Sequence, residues 1–260
     1  MPSAASATLF EAIAPEAAGM PLYQVVKRSL LNAIESGSCP PGSTLPSETE
    51  IAQRLGVSIG TLRRAVDELS AEHILVRRQG RGTFVATHSP DRLLHQFFHV
   101  ERADGLREAP AMELLSFERR TADEALATAL QLRAGDVVTQ IEHRLRLQGH
   151  AVIHECAYLP SAMFPGLTEE RLRARPGNLY QLYQSGFGIT VVRAHERARA
   201  AAAAPATAKI LGMAIGEPVL QVHSTALTFG DRPVEHRVST INTSQHDYVN
   251  VVSRPGPRHD

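Results

Sequence analysis

The chain has 260 residues, of which 43% are hydrophobic and 21% charged, and its 27 basic residues balance its 27 acidic ones. This length suits a soluble protein of about two domains, and a net charge of zero excludes attraction of the whole molecule to nucleic acid or to a membrane. Any such affinity must be local. No stretch approaches the roughly 18 apolar residues of a membrane span. The first 26 residues contain no Lys or Arg, so we expect neither a signal peptide nor a transit peptide.

The two cysteines, Cys39 and Cys156, lie far apart and form no C-x-x-C pair. This usage argues against a disulfide framework or a zinc ribbon and fits a reducing cytoplasm, which is where we expect the protein to act. Residues 1–19 and 251–260 are rich in small residues, Pro or Gly, a composition that predicts two mobile tails.

Two helices are predicted at the start of the first domain, which we place at residues 20–87. Apolar residues recur at four-residue spacing after Pro21, and Gly37 suits the end of that helix. Ser47 and Glu50 then have the spacing of a capping box, and Gly56 suits the end of a short second helix.

A third helix follows at once, with Ser58 as a good N-cap and Leu62, Val66 and Leu69 on one face. Two short helices joined by a glycine-containing turn predict a helix-turn-helix. The period then changes, because "ILVRRQGRGTFVA" is typical of two strands joined by a tight turn. The whole unit is expected to be a winged helix-turn-helix.

The basic residues of this unit gather on one side of it. If the apolar face is buried, Ser58, Thr61, Arg63 and Arg64 lie on or beside the outer face of the third helix, near the end that a helix-turn-helix presents to the major groove. The wing carries three more arginines, and no acidic residue occurs from position 73 to position 90. The alternative is that these arginines are only solvated or paired with neighbours such as Asp67 and Glu68. The combination of motifs favours binding to double-stranded DNA.

The motifs "LPSETEIAQRLGVSIGTLRRAVDEL" and "RRQGRGTFV" resemble the winged helix-turn-helix of the GntR family of bacterial transcription regulators, over about residues 21 to 87. The resemblance implies DNA contacts by Ser58, Thr61 and Arg63 in the groove. It implies further contacts at the wing, by Gln79, Gly80 and Arg81. Many members carry Arg where this chain has Thr49 and Ile59, so the operator sequence cannot be carried over from relatives.

A linker is predicted at 88–95 and a second domain at 96–250. Residues 127–152 and 207–234 share the order of a short helix, a Gly followed by an acidic residue, a strand, a glycine turn and a return strand. Two such units suggest a mixed α+β domain whose halves meet at a cleft. The alternative is an accidental likeness between short apolar strands.

The hairpin of the first unit offers a candidate ligand site. A two-residue turn at Gly149 and His150 would place Arg144 opposite Glu155 and Arg146 opposite Ile153, all on one face. Two arginines at alternate positions suit a phosphate or carboxylate. The alternative is an Arg–Glu pair on a solvated face of the sheet.

The segments "IEHRLRLQGHAVIHECAYLP" and "GEPVLQVHSTALTFGDRPVEHRVSTI" resemble the UTRA effector-binding domain of the HutC branch of the GntR family, over about residues 95 to 250. The resemblance implies a fold like that of chorismate lyase and a small-molecule site. The residues that it assigns to this site are Arg144, Arg146, Glu155 and Glu235. Ile241 stands where members often have an aromatic ring.

Signals for an enzyme or a metal site are weak. His150 and His154 would lie roughly 13 Å apart on a strand, and His154 is expected to neighbour Cys156 in sequence only, so we expect neither a metal site nor a cofactor. The main interpretation is a cytoplasmic regulator, a repressor rather than an activator, that binds operator DNA as a homodimer formed through the second domain and responds to a small-molecule effector. The alternative is a DNA-binding module fused to a catalytic, lyase-like domain.

Overall fold

The computed structural model describes Phe10 and residues 20–88, 97–175 and 177–250. The chain divides into two compact units, residues 1–87 and 88–260. The predicted tails lie outside the described residues, apart from Phe10, and so does the predicted linker from residue 89 onward. His88, predicted to begin the linker, is buried in the second unit, where its Nε2 accepts a hydrogen bond from the Val191 amide at 3.0 Å.

The described residues of the first unit form three helices and a two-stranded antiparallel sheet. Its elements are α1 (Leu22–Glu35), α2 (Glu48–Leu55), α3 (Ile59–Ala71), β1 (Leu75–Arg78) and β2 (Gly82–Val85). The predicted winged helix-turn-helix is therefore confirmed. Its core comes from the apolar stripes of the three helices, and the predicted inner residues of α3 are at most 1% exposed.

Local hydrogen bonds set the helix ends that the sequence indicates. The Ser47 hydroxyl accepts a hydrogen bond from the Glu50 amide at 3.2 Å, and the Ser58 hydroxyl accepts one from the Thr61 amide at 3.1 Å. Gly56 ends α2 in the left-handed conformation, with φ of 69°, which glycine adopts without steric cost. These caps fix the turn between α2 and α3, and so the direction in which α3 leaves it.

The wing closes through a three-residue loop. Arg78 pairs with Gly82 across the hairpin, and the Arg81 amide donates to the Arg78 carbonyl at 2.9 Å. Gly80 has a positive φ of 71°, a conformation that would strain most other residues. The loop leaves Arg81 exposed at the tip of the wing.

The second unit is built on a six-stranded antiparallel sheet with the order β4-β5-β6-β9-β8-β7, and a separate two-stranded sheet pairs β3 with β10. Its strands are β3 (Val100–Arg102), β4 (Ala111–Thr121), β5 (Val137–Leu147), β6 (His150–Pro160), β7 (Arg193–Ala202), β8 (Pro218–Leu227), β9 (Pro233–Ile241) and β10 (His246–Tyr248). Among the described residues, its α-helices are α4 (Glu124–Leu130), α5 (Glu169–Arg173), α6 (Leu179–Phe187) and α7 (Pro205–Leu211).

The large sheet consists of two copies of one motif. A strand, a short helix and a hairpin follow one another in β4-α4-β5-β6 and again in β7-α7-β8-β9, and β6 and β9 meet at the centre. Equivalent hydrogen bonds of 2.8 Å run from the Ala122 amide to the Asp136 carbonyl and from the Ala203 amide to the Glu217 carbonyl. The predicted internal repeat is thus confirmed.

The predicted register of the β5–β6 hairpin is wrong. The turn falls on Gln148 and Gly149, which both have positive φ, at 47° and 81°, instead of on Gly149 and His150. Glu108 helps to hold this turn by accepting a hydrogen bond from the Gln148 amide. A bulge near Arg146 then shifts the pairing, so that Arg144 lies opposite His154.

This register determines which side chains share a face of the sheet, because successive residues of a strand face opposite sides. Glu155 pairs with His143 on the inner face of the sheet. Apolar residues such as Ile141 and Ala157 lie on the same face, and α5 and α6 pack against it. Arg144 lies on the outer face. The sequence placed Arg144 and Glu155 on one face, and the structure separates them.

The core of the first unit yields a test of the helix assignment. Leu69 is fully buried on the inner face of α3, and removing its branched side chain leaves a cavity. We expect Leu69→Ala to lower the free energy of unfolding by about 2 to 5 kcal/mol, measured by urea denaturation of the full chain. Leu22→Ala, at a position that is 46% exposed, is the matched control and should cost less than about 0.5 kcal/mol. Equal losses would contradict the packing described.

Candidate functional site: a basic surface and a cavity with buried polar groups

The N-terminal end of α3 presents the polar side chains that the sequence singled out. Ser58, Arg63 and Arg64 are exposed, and Thr61 is half-buried. The Ser58 and Thr61 hydroxyl oxygens lie 2.9 Å apart and share a hydrogen bond. The structure therefore brings the four predicted contact residues of this helix together on one accessible surface.

Arg63 has a partner that the sequence did not indicate. Its Nε donates to Glu48 Oε2 at 2.7 Å, and this hydrogen bond to Glu48 raises the pKa of Arg63. Because the Arg63 side chain is 63% exposed, solvent screens the pair and either group can leave it at little cost. Glu48 thus orients the Arg63 guanidinium but leaves it able to exchange this carboxylate for another partner.

The neighbouring arginines are held in a similar way. The Arg64 guanidinium carbon lies 3.9 Å from the centre of the Tyr23 ring, and that of Arg78 lies 4.8 Å from the centre of the Phe84 ring. Such stacking leaves the edge of a guanidinium free to donate hydrogen bonds. Arg77 forms an ion pair with Asp67.

The tip of the wing holds the remaining predicted contacts. Gln79, Gly80 and Arg81 are all exposed. In the part of the chain that the structure describes, no acidic side chain forms an ion pair with Arg81. A guanidinium of this kind, next to two glycine backbones that can approach closely, suits a phosphate group.

The second unit contains a cavity of about 70 Å³ where its two repeats meet, which is room for about five water molecules. It is bounded by side chains from both hairpins and by aromatic rings. The lining residues include Phe97, Tyr180 and Tyr248 among the rings, Ile153 and Glu155 from the first hairpin, and Val222, Ser224, Arg237, Ser239 and Ile241 from the second.

Arg237 is the centre of a buried ionic network at this cavity. Its Nη1 donates to Glu155 Oε2 at 3.1 Å, and its Nε donates to Glu235 Oε1 at 2.8 Å. Burial alone lowers the pKa of Arg237, but the charges of Glu155 and Glu235 outweigh that effect and raise it well above its ordinary value. Arg237 is therefore a permanent cation that joins β6 to β9.

Two tyrosines of α6 complete the shell around Glu235. The Tyr183 hydroxyl donates to Glu235 Oε2 at 2.5 Å, and the Tyr180 hydroxyl donates to Oε1 at 3.4 Å. Glu235 is fully buried, so both of its oxygens need such donors. Glu235 is thus a structural anchor, and its hydrogen-bonding capacity is largely used.

Glu155 differs from Glu235, because only one of its two carboxylate oxygens accepts hydrogen bonds from described residues. Ser239 donates to Oε2 at 3.3 Å, whereas the buried Oε1 has no hydrogen-bond partner among the described residues. Burial raises the pKa of Glu155, and the positive charge of Arg237 offsets part of that rise. Buried carboxylate oxygens are normally satisfied, so Oε1 marks a place for a polar ligand or water.

Other buried polar atoms near Glu155 are also without a partner in the described ranges. They include Nδ2 of Asn178, which lines the cavity, and both ring nitrogens of His143. His143 Nδ1 lies 4.0 Å from Glu155 Oε1. Burial, followed by the charges of Arg175 and Arg237, lowers the pKa of His143 to about 3, so this imidazole is neutral at physiological pH. The cavity therefore offers an unused acceptor at Glu155 and an unused donor at Asn178, and the unpaired His143 lies behind Glu155 on the same face.

The four predicted effector residues do not lie together. Glu155 and Glu235 join the buried network, whereas Arg144 and Arg146 lie on the outer face of the sheet. There, Arg144 Nη2 donates to Glu113 at 2.7 Å and Arg146 Nε lies 3.6 Å from the same carboxylate.

Sequence reasoning missed Arg237, Tyr180, Tyr183, Asn178 and His143. A signal for Arg237 was present, because it stands two residues after Glu235 and so shares its face of β9. The two tyrosines are three residues apart, which puts them on one face of α6. No aromatic residue stands at position 241, but rings at Phe97, Tyr180 and Tyr248 line the cavity instead.

A second and larger hollow, of about 780 Å³, lies on the outer face of β7 and β8. The four basic side chains that β7 contributes are exposed; they are Arg193, His195, Arg197 and Arg199. The half-buried His223 and His236 already have hydrogen-bond partners, in Gln221 and Thr225. Groups that are solvated or paired in this way need no ligand to satisfy them. The inner cavity, with its buried polar atoms, is therefore the better candidate for a specific small-molecule site.

Both cysteines are free thiols. Cys156 and His154 are neighbours in space as well as in sequence, because Cys156 Sγ lies 4.0 Å from His154 Nε2. The expectation that they are close in sequence only is wrong.

Within the ranges that the structure describes, no helix combines the length and apolar character needed to cross a bilayer.

Comparisons with known proteins agree with this architecture. Residues 22–85 match the gntR family of bacterial regulatory proteins, and residues 106–247 match the UTRA domain, which alone covers more than half of the chain. The chain therefore belongs to the GntR family of transcription regulators, in the group that carries a UTRA domain. These matches favour a regulator over the alternative of a DNA-binding module fused to a lyase.

Several relatives are similar over most of the chain. The HTH-type transcriptional regulator Rv0792c of Mycobacterium tuberculosis is 33% identical over 75% of this chain and 72% of its own length. The histidine utilization repressor of Pseudomonas putida is 31% identical over 82% of this chain and 85% of its own length.

One similar solved structure is the ligand-binding domain of a regulator assigned to the GntR family from Bordetella bronchiseptica. It is 35% identical with a TM-score of 0.57, and the match covers 60% of this chain and 96% of that domain. The second unit of this chain is therefore similar to a ligand-binding domain.

The buried imidazole of His143 gives a pH test of the inner face beside Glu155. The unfolded chain takes up a proton at His143 near the ordinary pKa of 6.5, whereas the folded chain resists protonation until about pH 3. Stability from this group is therefore lost as the pH falls through that window. Between its ordinary pKa and roughly pH 4.5 we expect a loss of about 2 to 3 kcal/mol that His143→Gln does not show. Urea denaturation at both pH values measures it.

The matched control is His150→Gln, at an exposed histidine in the same hairpin. This variant should follow the wild-type dependence of stability on pH. If His143→Gln loses as much stability on acidification as the wild type, His143 is not buried as described.

Proposed function

We propose that this protein is a transcriptional repressor that binds operator DNA through the winged helix-turn-helix and releases it when a small molecule occupies the inner cavity of the UTRA domain. The observation that carries the proposal is the pairing of an accessible basic surface in one unit with unused buried hydrogen-bonding groups in the other. We place the protein in the cytoplasm, where its DNA target is.

The exposed arginines of the first unit are proposed to have different roles in binding DNA. Arg63 stands on the exposed face of α3, and its weak pairing with Glu48 allows it to exchange that carboxylate for a guanine edge in the major groove. Ser58 and Thr61 are placed to contact phosphates near the helix N-terminus. Arg81, with Gln79 and Gly80, is proposed to hold the phosphate backbone beside the groove.

Ile59 adds a contact of a different kind. Its side chain is 40% exposed although it is large and apolar, and it is the first residue of α3. An exposed apolar side chain at this end of a recognition helix suits the methyl group of thymine. We therefore expect this position to contribute apolar contact where relatives with Arg contribute hydrogen bonds.

The cavity favours a compact effector with at least one hydrogen-bond donor. Arg237 shares its single positive charge between two carboxylates, and Oε1 of Glu155 is free to accept a hydrogen bond. Nδ2 of Asn178 can donate to an acceptor on the same molecule. A flat ring could stack on Tyr180. This chemistry differs from the simple anion that the pair Arg144 and Arg146 suggested.

The functional form is proposed to be a homodimer. A palindromic operator is read by two recognition helices about one helical turn apart, which needs a two-fold dimer. The strand β7 is a candidate contact in the second unit, because it is an edge of the sheet and almost all of its residues are exposed. Such edges are normally covered.

The proposed control is allosteric. Effector binding favours a dimer geometry in which the two recognition helices no longer match the spacing of the operator. Linkage then requires DNA to weaken effector binding by the same factor. In this scheme the second unit senses a ligand, and no catalytic step is involved.

Two arginine variants test the assignment of DNA contacts. We expect Arg63→Ala to weaken binding to the operator by about 10- to 100-fold and to reduce the preference for operator over random DNA, because it removes contacts to bases. We expect Arg81→Ala to weaken binding to both DNAs by similar factors and to reduce the dependence of affinity on salt. Fluorescence anisotropy with duplexes from upstream of the protein's own gene measures both.

The two variants serve as controls for each other, since each removes one exposed guanidinium. If Arg63→Ala weakens operator and random DNA equally, Arg63 contacts phosphates and does not read bases. If neither variant changes affinity, the proposed DNA surface is wrong.

A matched pair of glutamates tests the effector site. Glu155→Gln keeps the volume of the side chain but removes one of the two charges that pair with Arg237, so we expect it to lower the stability of the second unit. It also weakens the ability of this side chain to accept a charge-assisted hydrogen bond. We therefore expect the folded variant to bind operator through its unchanged first unit and to need about 10- to 100-fold more effector for release. The effector is first found by screening a metabolite panel for release of operator from the wild-type protein.

Glu113→Gln is the control, because Glu113 lies on the outer face beside Arg144 and Arg146. It should leave effector-induced release unchanged. Loss of the response in Glu113→Gln with a normal response in Glu155→Gln would move the site to the outer face.

A further inference from the structure

Three metal-ligating side chains converge on the outer face of the sheet, away from the cavity. Glu142 and Cys156 are directly opposite each other on β5 and β6, and His154 lies two residues before Cys156 on the same face. His154 Nε2 is 2.6 Å from Glu142 Oε1 and 4.0 Å from Cys156 Sγ. All three ligand atoms lie within 4.8 Å of one another.

Each of two ligands is oriented by a further side chain. His154 Nδ1 lies 3.0 Å from the Thr207 hydroxyl oxygen on α7, and the Ser116 hydroxyl donates to the second oxygen of Glu142 at 3.2 Å. Metal-binding histidines typically use their other ring nitrogen in such a hydrogen bond, and metal-binding carboxylates are held in the same way. The cluster therefore has the outer hydrogen bonds of a metal site as well as its ligands.

The arrangement does not suit a catalytic cysteine. A nucleophile activated by histidine needs the thiol at one ring nitrogen and the carboxylate at the other. Here, the same nitrogen, His154 Nε2, faces both Glu142 and Cys156. Three ligand atoms that converge on one point suit a shared metal cation.

We propose that Glu142, His154 and Cys156 bind one divalent transition metal ion, with zinc as the best fit. A mixed set of nitrogen, sulfur and oxygen ligands suits zinc, and the ligand atoms of a tetrahedral zinc ion lie about 3.3 to 3.7 Å apart. The separations of 2.6 and 4.0 Å lie on either side of that range. Small side-chain rotations would equalise them.

Access and proton balance are consistent with this site. Glu142 keeps 25% of its side chain exposed, which leaves an open side where water supplies a fourth ligand. Binding releases the thiol proton of Cys156 to solvent. The proton of His154 moves to Nδ1, from which it is donated to the Thr207 hydroxyl, and Nε2 becomes free to bind the metal.

The location links the site to the cavity through one strand. Glu155 lies between His154 and Cys156 on β6 and faces the opposite side of the sheet. A metal bound to both neighbours would fix the backbone on either side of the carboxylate that we assign to the effector. The existence of the metal site does not depend on that assignment.

Cobalt(II) titration of the full-length protein tests the proposal, because a cobalt–thiolate bond gives a charge-transfer absorption band that oxygen and nitrogen ligands do not. We expect such a band to saturate at one equivalent of cobalt and to disappear when zinc is added. It should be absent in Cys156→Ser and strongly weakened in His154→Gln. Cys39→Ser, at the other cysteine, is the matched control and should keep the band.

A measurement on the unmodified protein covers the case in which a variant fails to fold. X-ray absorption of the zinc-loaded protein should show one sulfur neighbour among nitrogen and oxygen neighbours. Absence of a thiolate band in the wild type, persistence of the band in folded Cys156→Ser, or a zinc shell without sulfur would each overturn the proposal.

Discussion

The second unit depends on one cation whose side chain is only 18% exposed. Arg237 lies between Glu155 on β6 and Glu235 on β9, the two strands at which the repeats of the sheet meet. A charge in this position must be paired, and removal of one partner from such a pair typically costs about 3 to 5 kcal/mol. The network therefore fixes the two halves of the sheet against each other. It also leaves one oxygen of Glu155 unsatisfied beside the cavity, so the interaction that holds the fold also creates the polar feature that a ligand can use.

The first unit keeps its charged side chains at the surface, in contrast to the buried network of the second. Its arginines are exposed, and weak partners hold them: a carboxylate for Arg63 and aromatic rings for Arg64 and Arg78. These partners restrict the side chains without desolvating them, so little must be broken when a phosphate or a base replaces the partner. A molecule with no net charge can then present a locally basic surface. The caps of α2 and α3 set the orientation of that surface.

The parts of the structure that local chemistry decides could be predicted from the sequence. The hydroxyl caps at Ser47 and Ser58, the glycine at the end of α2 and the arginine-tipped wing all follow from short-range rules. The register of β5 and β6 could not be predicted, because the hydrogen bond from Gln148 to Glu108 and a bulge near Arg146 decide it. A shift of one residue exchanges the two faces of a strand. That shift places Arg144 and Glu155 on opposite faces of the sheet. Because the sequence paired Glu155 with Arg144, it did not predict the pairing of Glu155 with Arg237.

The effector site can be tested most directly by a crystal structure of the full-length protein with an effector that releases it from operator DNA. We expect the effector to lie in the cavity between the two repeats, with polar atoms within hydrogen-bonding distance of Glu155 Oε1 and Asn178 Nδ2. An effector bound on the outer face, beside Arg144 and Arg146 or in the hollow along β7, with the inner cavity unchanged, would contradict it.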